Sequence, residues 1–198
     1  MFTQLSKEQA KEEIRKLTQR FKDNIEQYEN STYKEGPTIK DFIDKFFRAL
    51  GWDVDNEQGY PEQYREVMNW VSIKIKSGIT QFPDYEFRIG GQPKFYADAK
   101  KPFINIKDDV SSAFQLRIYS WNAKSISILT NFKEFAVYDF SKKPSKADKP
   151  NVSRIMYLTF EEYEKRFDEI YDLFSKQSIL KVRISHKAIY LPFPLLLV

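Results

Sequence analysis

Three polar residues near the middle of the chain have types and spacing that could do chemistry together. The surrounding pattern predicts two strands, Tyr85–Ile89 and Lys94–Lys100, joined by a Gly-Gly turn in a hairpin. Asp84 precedes the first strand, while Asp98 and Lys100 alternate on the second and therefore project from the same face. Two acids and a lysine are expensive to hold together unless they bind something. A divalent cation with a phosphate is the natural candidate.

The composition indicates one folded domain. The 198 residues are 41% hydrophobic and 16% aromatic, which is enough to bury a core. Cysteine is absent, so nothing suggests a disulfide framework or a cysteine-zinc site, and we expect a cytoplasmic protein. No apolar run resembles a signal peptide or approaches the length of a membrane span. The net charge of +4 permits a phosphate-bearing partner but does not identify one.

The order of the predicted elements indicates an α/β fold with a mixed sheet flanked by helices. A capping box at Ser6 begins a first long helix, and a second should run from about Thr38 to Leu50. After the hairpin, Asp108 or Asp109 can cap a helix that ends near Trp121. Another capping box at Thr159 begins the last predicted helix of the core. The further predicted strands are Val67–Ile75, Ser125–Thr130, Glu134–Phe140 and Arg154–Leu158.

Two short motifs carry a family resemblance. The Pro-Asp pair at 83–84 followed by Asp-Ala-Lys at 98–100 resembles the signature of the PD-(D/E)XK nuclease superfamily. With its flanks, Pro-Asp-Tyr at 83–85, Gly-Gly at 90–91 and Asp-Ala-Lys-Lys-Pro at 98–102, it is similar to the amino-terminal cleavage domain of type IIG restriction–modification enzymes and to related type I restriction subunits. The resemblance implies a restriction-endonuclease-like core and a metal-dependent DNA endonuclease.

The resemblance also assigns roles to the residues of the hairpin. Asp84 and Asp98, with the backbone carbonyl of Ala99, would hold Mg²⁺, and Mn²⁺ could take its place. Lys100 would orient or help to deprotonate the attacking water and offset the charge of the phosphate. Lys101 is expected to contact a phosphate rather than to catalyse. Aspartate at position 98 replaces the commoner glutamate of the family, and its side chain is one methylene shorter.

Three further residues join this set through the resemblance. Glu35 lies upstream of the Leu-Gly-Trp-Asp run at 50–53, where the family places a glutamate that helps to hold a metal or its water. The alternative is a helix-start carboxylate favoured by the helix dipole. Gln115 and Tyr119 lie four apart on a predicted helix and resemble an accessory motif of RecB-like and type I restriction nucleases, where the pair lies beside the active site and contacts DNA. On spacing alone, the pair is incidental.

Two lysine-rich segments remain open to two interpretations. Lys74 and Lys76 alternate with apolar residues and could meet DNA phosphates, although lysines on an open strand face usually serve solubility. The segment Ser141–Val152 carries four lysines and reads as a flexible basic loop. It could contact a DNA backbone, but a solvated loop is the simpler interpretation.

The resemblance lasts to about Lys181, so we assign residues 1–181 to the nuclease domain. Residues 182–198 form an apolar, poorly periodic tail, and we hypothesise that the chain is truncated or frame-shifted there. In the family, methyltransferase and target-recognition domains follow the cleavage domain. We therefore expect double-stranded DNA as one partner, those domains downstream or in a partner chain, and no membrane.

Three hypotheses follow from the sequence. The leading one is a Mg²⁺-dependent DNA endonuclease domain, the cleavage part of a restriction–modification system. The second is a catalytically silent nucleic-acid-binding or assembly module with the same fold. The third is a purely structural domain in which Lys100 forms an internal ion pair with Asp84 or Asp98.

Overall fold

A mixed sheet and the helices on its two faces make up the fold. The computed structural model describes residues 2–74 and 80–185. The helices are α1 (Lys7–Asp23), α2 (Ile25–Tyr28), α3 (Glu35–Thr38), α4 (Asp44–Ala49), α5 (Val110–Ala123), α6 (Phe167–Phe174) and α7 (Lys176–Ser185). A π-helical turn, Ile39–Ile43, joins α3 to α4, and short 3-10 helices lie at Glu62–Tyr64 and Phe160–Glu162. The strands are β1 (Val67–Met68), β2 (Ile73–Lys74), β3 (Thr80–Gln81), β4 (Tyr85–Ile89), β5 (Gln92–Ala99), β6 (Ser127–Thr130), β7 (Glu134–Tyr138) and β8 (Arg154–Thr159).

The main sheet has six strands in the order β1-β4-β5-β6-β7-β8. Neighbouring strands are antiparallel except β5 and β6, which are parallel. The connection between the two parallel strands contains α5, as a parallel pair requires a crossover. Strands β2 and β3 form a separate two-stranded ribbon. The predicted α/β fold with a mixed, helix-flanked sheet is confirmed. No helix in the described ranges is long and apolar enough to cross a membrane.

Hydrophobic clusters cover both faces of the sheet. The larger cluster combines α1, α4 and α6 with inward-facing strand residues, and the rings of Phe87 and Phe95 stack in it at 4.3 Å. The smaller cluster lies under α5 and contains Leu116 and Tyr119. Residues Ala97 and Ala99 belong to the larger cluster. Because side chains alternate along a strand, the residue between them, Asp98, faces the α5 side.

The hairpin of β4 and β5 has the predicted Gly-Gly turn. Ile89 pairs with Gln92, which leaves Gly90 and Gly91 as a two-residue connection. Both glycines have positive φ, 57° and 76°, as a type I′ turn requires. The first strand has the predicted bounds, and the second begins two residues earlier than Lys94 and ends one before Lys100.

Replacing Gly91 by alanine should destabilise the domain more than the same change at Gly59. Both residues have positive φ, but a Cβ at Gly91 would lie 2.7 Å from the carbonyl oxygen of Gln63, whereas nothing lies within 4 Å of one at Gly59. We expect Gly59→Ala to lower the free energy of unfolding by about 1 kcal/mol and Gly91→Ala by about 2 kcal/mol or more. Urea unfolding measures both, and equal losses would contradict the close contact.

Several predicted boundaries were wrong. The second helix begins at Glu35 rather than near Thr38, and its middle is a π-helical turn. The predicted strand Val67–Ile75 is divided into β1 and β2, because Trp70 has a φ of 51° that extended backbone does not allow. Residues 75 and 76 lie outside the described residues. Whether Lys74 and Lys76 meet phosphates therefore stays a prediction.

Candidate active site

Asp84, Asp98 and Lys100 converge at the carboxyl end of β5. The antiparallel register of β4 and β5 places Asp84 beside that end, where its Oδ2 accepts a hydrogen bond from the backbone N–H of Ala99 at 2.7 Å. The Nζ of Lys100 forms an ion pair with Oδ2 of Asp98 and donates to the carbonyl oxygen of Ala99 at 3.0 Å. The three predicted side chains therefore surround one residue of the strand.

Backbone contacts hold this cluster from both sides. The N–H of Lys100 donates to the carbonyl of Thr130 at 2.9 Å and continues the pairing of β5 with β6. On the other side, Nδ2 of Asn69 donates to the carbonyl of Asp84 at 2.9 Å. The acids thus lie on a fixed backbone. A site that positions a small ligand requires such a backbone.

Burial and neighbouring charges together set the protonation of Asp98 and Lys100. Asp98 is only 3% exposed, and this desolvation raises its pKa to about 6, against the favourable charge of Lys100. The nearby Asp84 raises that pKa further. For Lys100, burial favours the neutral amine, but the charge and hydrogen bond of Asp98, together with the charges of Glu35 and Asp84, outweigh it and the pKa is raised overall. Lys100 is therefore an ammonium at neutral pH.

Glu35 faces the same cluster from the first turn of α3. Its half-buried carboxyl has a raised pKa, mainly through burial, while Lys100 lowers it and Asp84 raises it. Lys101, which is exposed, also lowers this pKa. Because all three charges affect its pKa, Glu35 lies near Asp84, Lys100 and Lys101 at the end of the hairpin. Within the described residues, the carboxyl of Glu35 makes no hydrogen bond or ion pair, so its oxygens remain available to a ligand.

The Gln115 and Tyr119 pair also reaches this neighbourhood. Nε2 of Gln115 donates to the hydroxyl of Tyr119 at 2.7 Å, one turn along α5. Tyr119 is buried, and burial raises the pKa of its hydroxyl, with further contributions from the charges of Asp98 and Asp84. All seven side chains singled out in the sequence therefore lie in one region. The carbonyl of Ala99 lies among them.

Comparison with known proteins shows which proteins this chain is related to. The type II restriction enzyme and methyltransferase RM.Eco57I of Escherichia coli is 37% identical to the chain over 171 residues, which are 85% of this chain. The chain is a homologue of a type II restriction enzyme. The resemblance inferred from the hairpin motifs is confirmed.

The homologue spans 17% of the length of that curated relative. A solved cryo-EM structure of a DrdV–DNA complex also aligns with this chain. The alignment covers 87% of this chain and 15% of the chain in that complex, at 14% sequence identity and a TM-score of 0.47. No protein-family model matches the chain.

The oxygen atoms at the candidate active site of this restriction-enzyme homologue are of the kind that bind a hard divalent cation. Carboxylates and backbone carbonyls are the ligands that Mg²⁺ and Mn²⁺ prefer, and Asp84, Asp98 and the carbonyl of Ala99 supply both kinds. In the described part of the chain, no three acidic or histidine side chains stand close enough to hold a metal by themselves. A cation here would therefore depend on the Ala99 carbonyl and on water or phosphate oxygens, and it would compete with Lys100 for Asp98.

Sequence reasoning missed a buried link that supports the site. The hydroxyl of Tyr85 donates to Oδ1 of Asp44 at 2.7 Å, and Lys40 donates to Oδ2 at 2.7 Å. Asp44 is buried and follows the helical segment of Glu35, while Tyr85 follows Asp84 in sequence. The bond thus joins the two segments that carry these acids. No signal in the sequence pointed to this link, because Asp44 lies two residues from both Phe42 and Phe46 and a regular helix would place it on a different face.

The raised pKa of Asp98 predicts an unusual pH dependence of stability in the metal-free protein. An unfolded aspartate loses its proton near pH 4, whereas folded Asp98 keeps it until about pH 6. Between these values the folded state binds more protons, so its stability falls as the pH rises. Glu35, whose pKa is also raised, contributes with the same sign.

We expect the fall to be on the order of 2 kcal/mol. Urea unfolding in EDTA at several pH values measures it, with Asp98→Asn as the comparison. The variant should show a smaller decrease between pH 4 and 6. An identical decrease in both proteins would show that Asp98 does not cause it.

Proposed function

We propose that this chain is the DNA-cleaving domain of a restriction–modification enzyme and that it hydrolyses phosphodiester bonds with Mg²⁺. The convergence of Asp84, Asp98 and Lys100 on Ala99 carries this proposal, because it combines hard oxygen ligands with a cation that can face a phosphate. The relationship to a restriction enzyme and methyltransferase supports the substrate class.

In this proposal, Asp84, Asp98 and the carbonyl of Ala99 would hold the metal ion, and Glu35 would bind a second metal or a metal-bound water. A bound ion would supply a water of lowered pKa and offset the charge that develops on the phosphate. Lys100 orients the attacking water and balances phosphate charge. Its raised pKa favours this role over proton abstraction, because the amine is already protonated at neutral pH.

The remaining residues position the DNA. Tyr119 is buried beside the two acids and accepts a hydrogen bond from the partly exposed Gln115, so it can fix the Gln115 side chain that meets the strand being cut. Lys101 is exposed and contacts a neighbouring phosphate. A polar pair and a lysine next to the reacting phosphate are the kind of contacts that fix register without reading sequence.

The proposed unit comprises residues 1–181 and acts together with methyltransferase and target-recognition domains downstream or in a partner chain. The curated relative combines a restriction enzyme with a methyltransferase, and this chain spans 17% of it, which supports that organisation. Helix α7 continues through residue 181 to Ser185, and residues 186–198 lie outside the described part. A cytoplasmic location remains part of the proposal.

One observation favours the alternative hypotheses. The ion pair of Lys100 with Asp98 is the contact that a purely structural domain requires, and a catalytically silent DNA-binding module could keep it too. The purely structural domain does not account for the available carboxyl of Glu35 beside the pair. The proposal therefore stands on the whole cluster rather than on the ion pair.

The experiment is incubation of the chain with supercoiled plasmid DNA in Mg²⁺, in Mn²⁺ and in EDTA. The proposal predicts nicked and linear products with either metal and none in EDTA. Duplex binding without products in either metal would favour the silent module. The absence of both binding and products would favour the structural domain.

A further inference from the structure

The segment between β7 and β8 is a folded loop with a specific anchor. This basic loop, Ser141–Val152, wraps around the carboxylate of Asp148. Nη1 of Arg117 on α5 donates to Asp148 at 2.8 Å, and Lys142 and the backbone N–H of Ser145 donate to it at 3.0 and 2.8 Å. The loop is therefore held against α5 rather than extended freely into solvent.

The anchor is unusual because the arginine is buried and incompletely paired. Arg117 is 2% exposed, and its Nε and Nη2 have no hydrogen-bond partner among the described residues. Burying a guanidinium with unpaired donors is unfavourable. The hydrogen bonds from Arg117 and Lys142 hold the pKa of Asp148 at about 2, so the acid stays charged. The fold thus accepts a costly buried group at the point where the loop attaches.

The anchored loop presents positive charge that nothing in the described structure compensates. Lys143, Lys146 and Lys149 are exposed, and their side chains make no ion pair or hydrogen bond with described residues. The one acid of the loop, Asp148, is already paired with Arg117 and Lys142. Three free ammonium groups on a fixed backbone complement a polyanion.

The loop and the candidate active site share α5. Arg117 lies midway between Gln115 and Tyr119 in sequence, but on a helix it points to a different flank, so the loop and the acids lie on either side of α5. A helix with its side chains is about 10–12 Å wide, close to the ~12 Å width of a DNA major groove. A duplex with one phosphate at the acids can therefore bring another stretch of its backbone to the loop.

We propose that the basic loop is a second contact for the backbone of double-stranded DNA, remote from the reacting phosphate, with Arg117 and Asp148 as its anchor. The inference rests on the proposed function for the identity of the partner. It goes beyond that function, because the loop adds affinity and orientation without taking part in cleavage. Its contacts to phosphates should be independent of base sequence.

The test measures binding of a fluorescent DNA duplex at several salt concentrations in EDTA, so that no cleavage is involved. The variant is Lys143→Gln with Lys146→Gln and Lys149→Gln. Each lost phosphate contact should reduce the slope of log affinity against log salt by about 0.9, and affinity at low salt should fall at least about tenfold. The control is Lys11→Gln with Lys22→Gln and Lys165→Gln, which removes the same charge from exposed positions outside the loop and α5.

The proposal expects the control triple to keep most of the affinity and slope of the wild-type chain. Equal losses in both triples would show that only net charge matters and would overturn it, as would unchanged binding by the loop triple. Wild-type protein that binds no duplex also overturns it. Duplex binding without cleavage in Mg²⁺ leaves the loop proposal standing and rejects only the catalytic one.

Asp148→Asn tests the role of the anchor separately from the role of the loop's positive charge. The change makes the loop more positive, so a model based on charge alone predicts tighter binding. Our proposal predicts weaker binding, because the asparagine no longer neutralises Arg117 and holds the loop less firmly. Tighter binding would overturn the role of the anchor.

Discussion

Replacing Asp84 by asparagine is expected to abolish metal-dependent DNA cleavage while leaving the fold in place. The amide oxygen of asparagine can still accept the hydrogen bond from the N–H of Ala99, which Asp84 now accepts at 2.7 Å. The negative charge that attracts a divalent cation is lost. We expect nicking of plasmid DNA in Mg²⁺ to slow at least about 100-fold, with a parallel loss of Mn²⁺ affinity measured by calorimetry.

The matched control for this change is Asp23→Asn. Asp23 is an exposed carboxylate at the end of α1, so its replacement alters the net charge equally without touching the hairpin. It should cleave like the wild-type chain. An Asp84→Asn protein that cleaves within a few-fold of the control would remove Asp84 from the proposed metal site.

Lys100→Ala is the second change with a large expected effect. The variant lacks the ammonium that contacts Asp98 and the carbonyl of Ala99 and that, in our proposal, orients water and offsets phosphate charge. We expect cleavage to fall at least about 100-fold. Lys101→Ala, which removes the exposed neighbouring lysine, should lose much less.

The loss of the Lys100 amine also affects the stability of the fold, and the experiment must distinguish this effect from a loss of catalysis. It leaves Asp98 buried without its partner, which is unfavourable and raises the pKa of that carboxyl further. Lys100→Gln keeps the stem and a polar end, and circular dichroism with urea unfolding shows whether each variant is folded. A folded Lys100→Gln protein that cleaves at the wild-type rate would exclude Lys100 from catalysis.

The hairpin could be predicted from the sequence because its signals are local. A Gly-Gly pair between two strand-like runs fixes the turn, and the turn fixes the register that brings Asp84 beside Ala99. A cap at Ser6 and a cap at Asp108 or Asp109 were predicted on the same basis, and in the structure Ser6 and Asp109 accept backbone hydrogen bonds as N-caps.

The positions of Glu35, Gln115 and Tyr119 relative to the acids could not be derived from local pattern. They depend on how α3 and α5 pack on the sheet, and only the family resemblance proposed them. Trp70 shows the reverse case, since an alternating pattern predicted one strand while a positive φ at a non-glycine residue divides it.

Two buried polar links were also invisible to sequence reasoning. Asp44 with Tyr85, and Arg117 with Asp148, join residues that are 41 and 31 positions apart. Burial of a charge becomes informative only once its partner is known. The first link joins the segments that carry Glu35 and Asp84, and the second joins α5 to the basic loop, so tertiary structure was needed to find them.

The most direct test of the central claim is nicking and linearisation of supercoiled plasmid by the wild-type chain and by Lys100→Ala at matched purity, with Mg²⁺, Mn²⁺ or EDTA. A metal-dependent nuclease centred on Asp84, Asp98 and Lys100 predicts products from the wild-type chain with either metal, none in EDTA and none from the variant. Equal cutting by the folded variant, or cutting by the wild-type chain in EDTA, would contradict it.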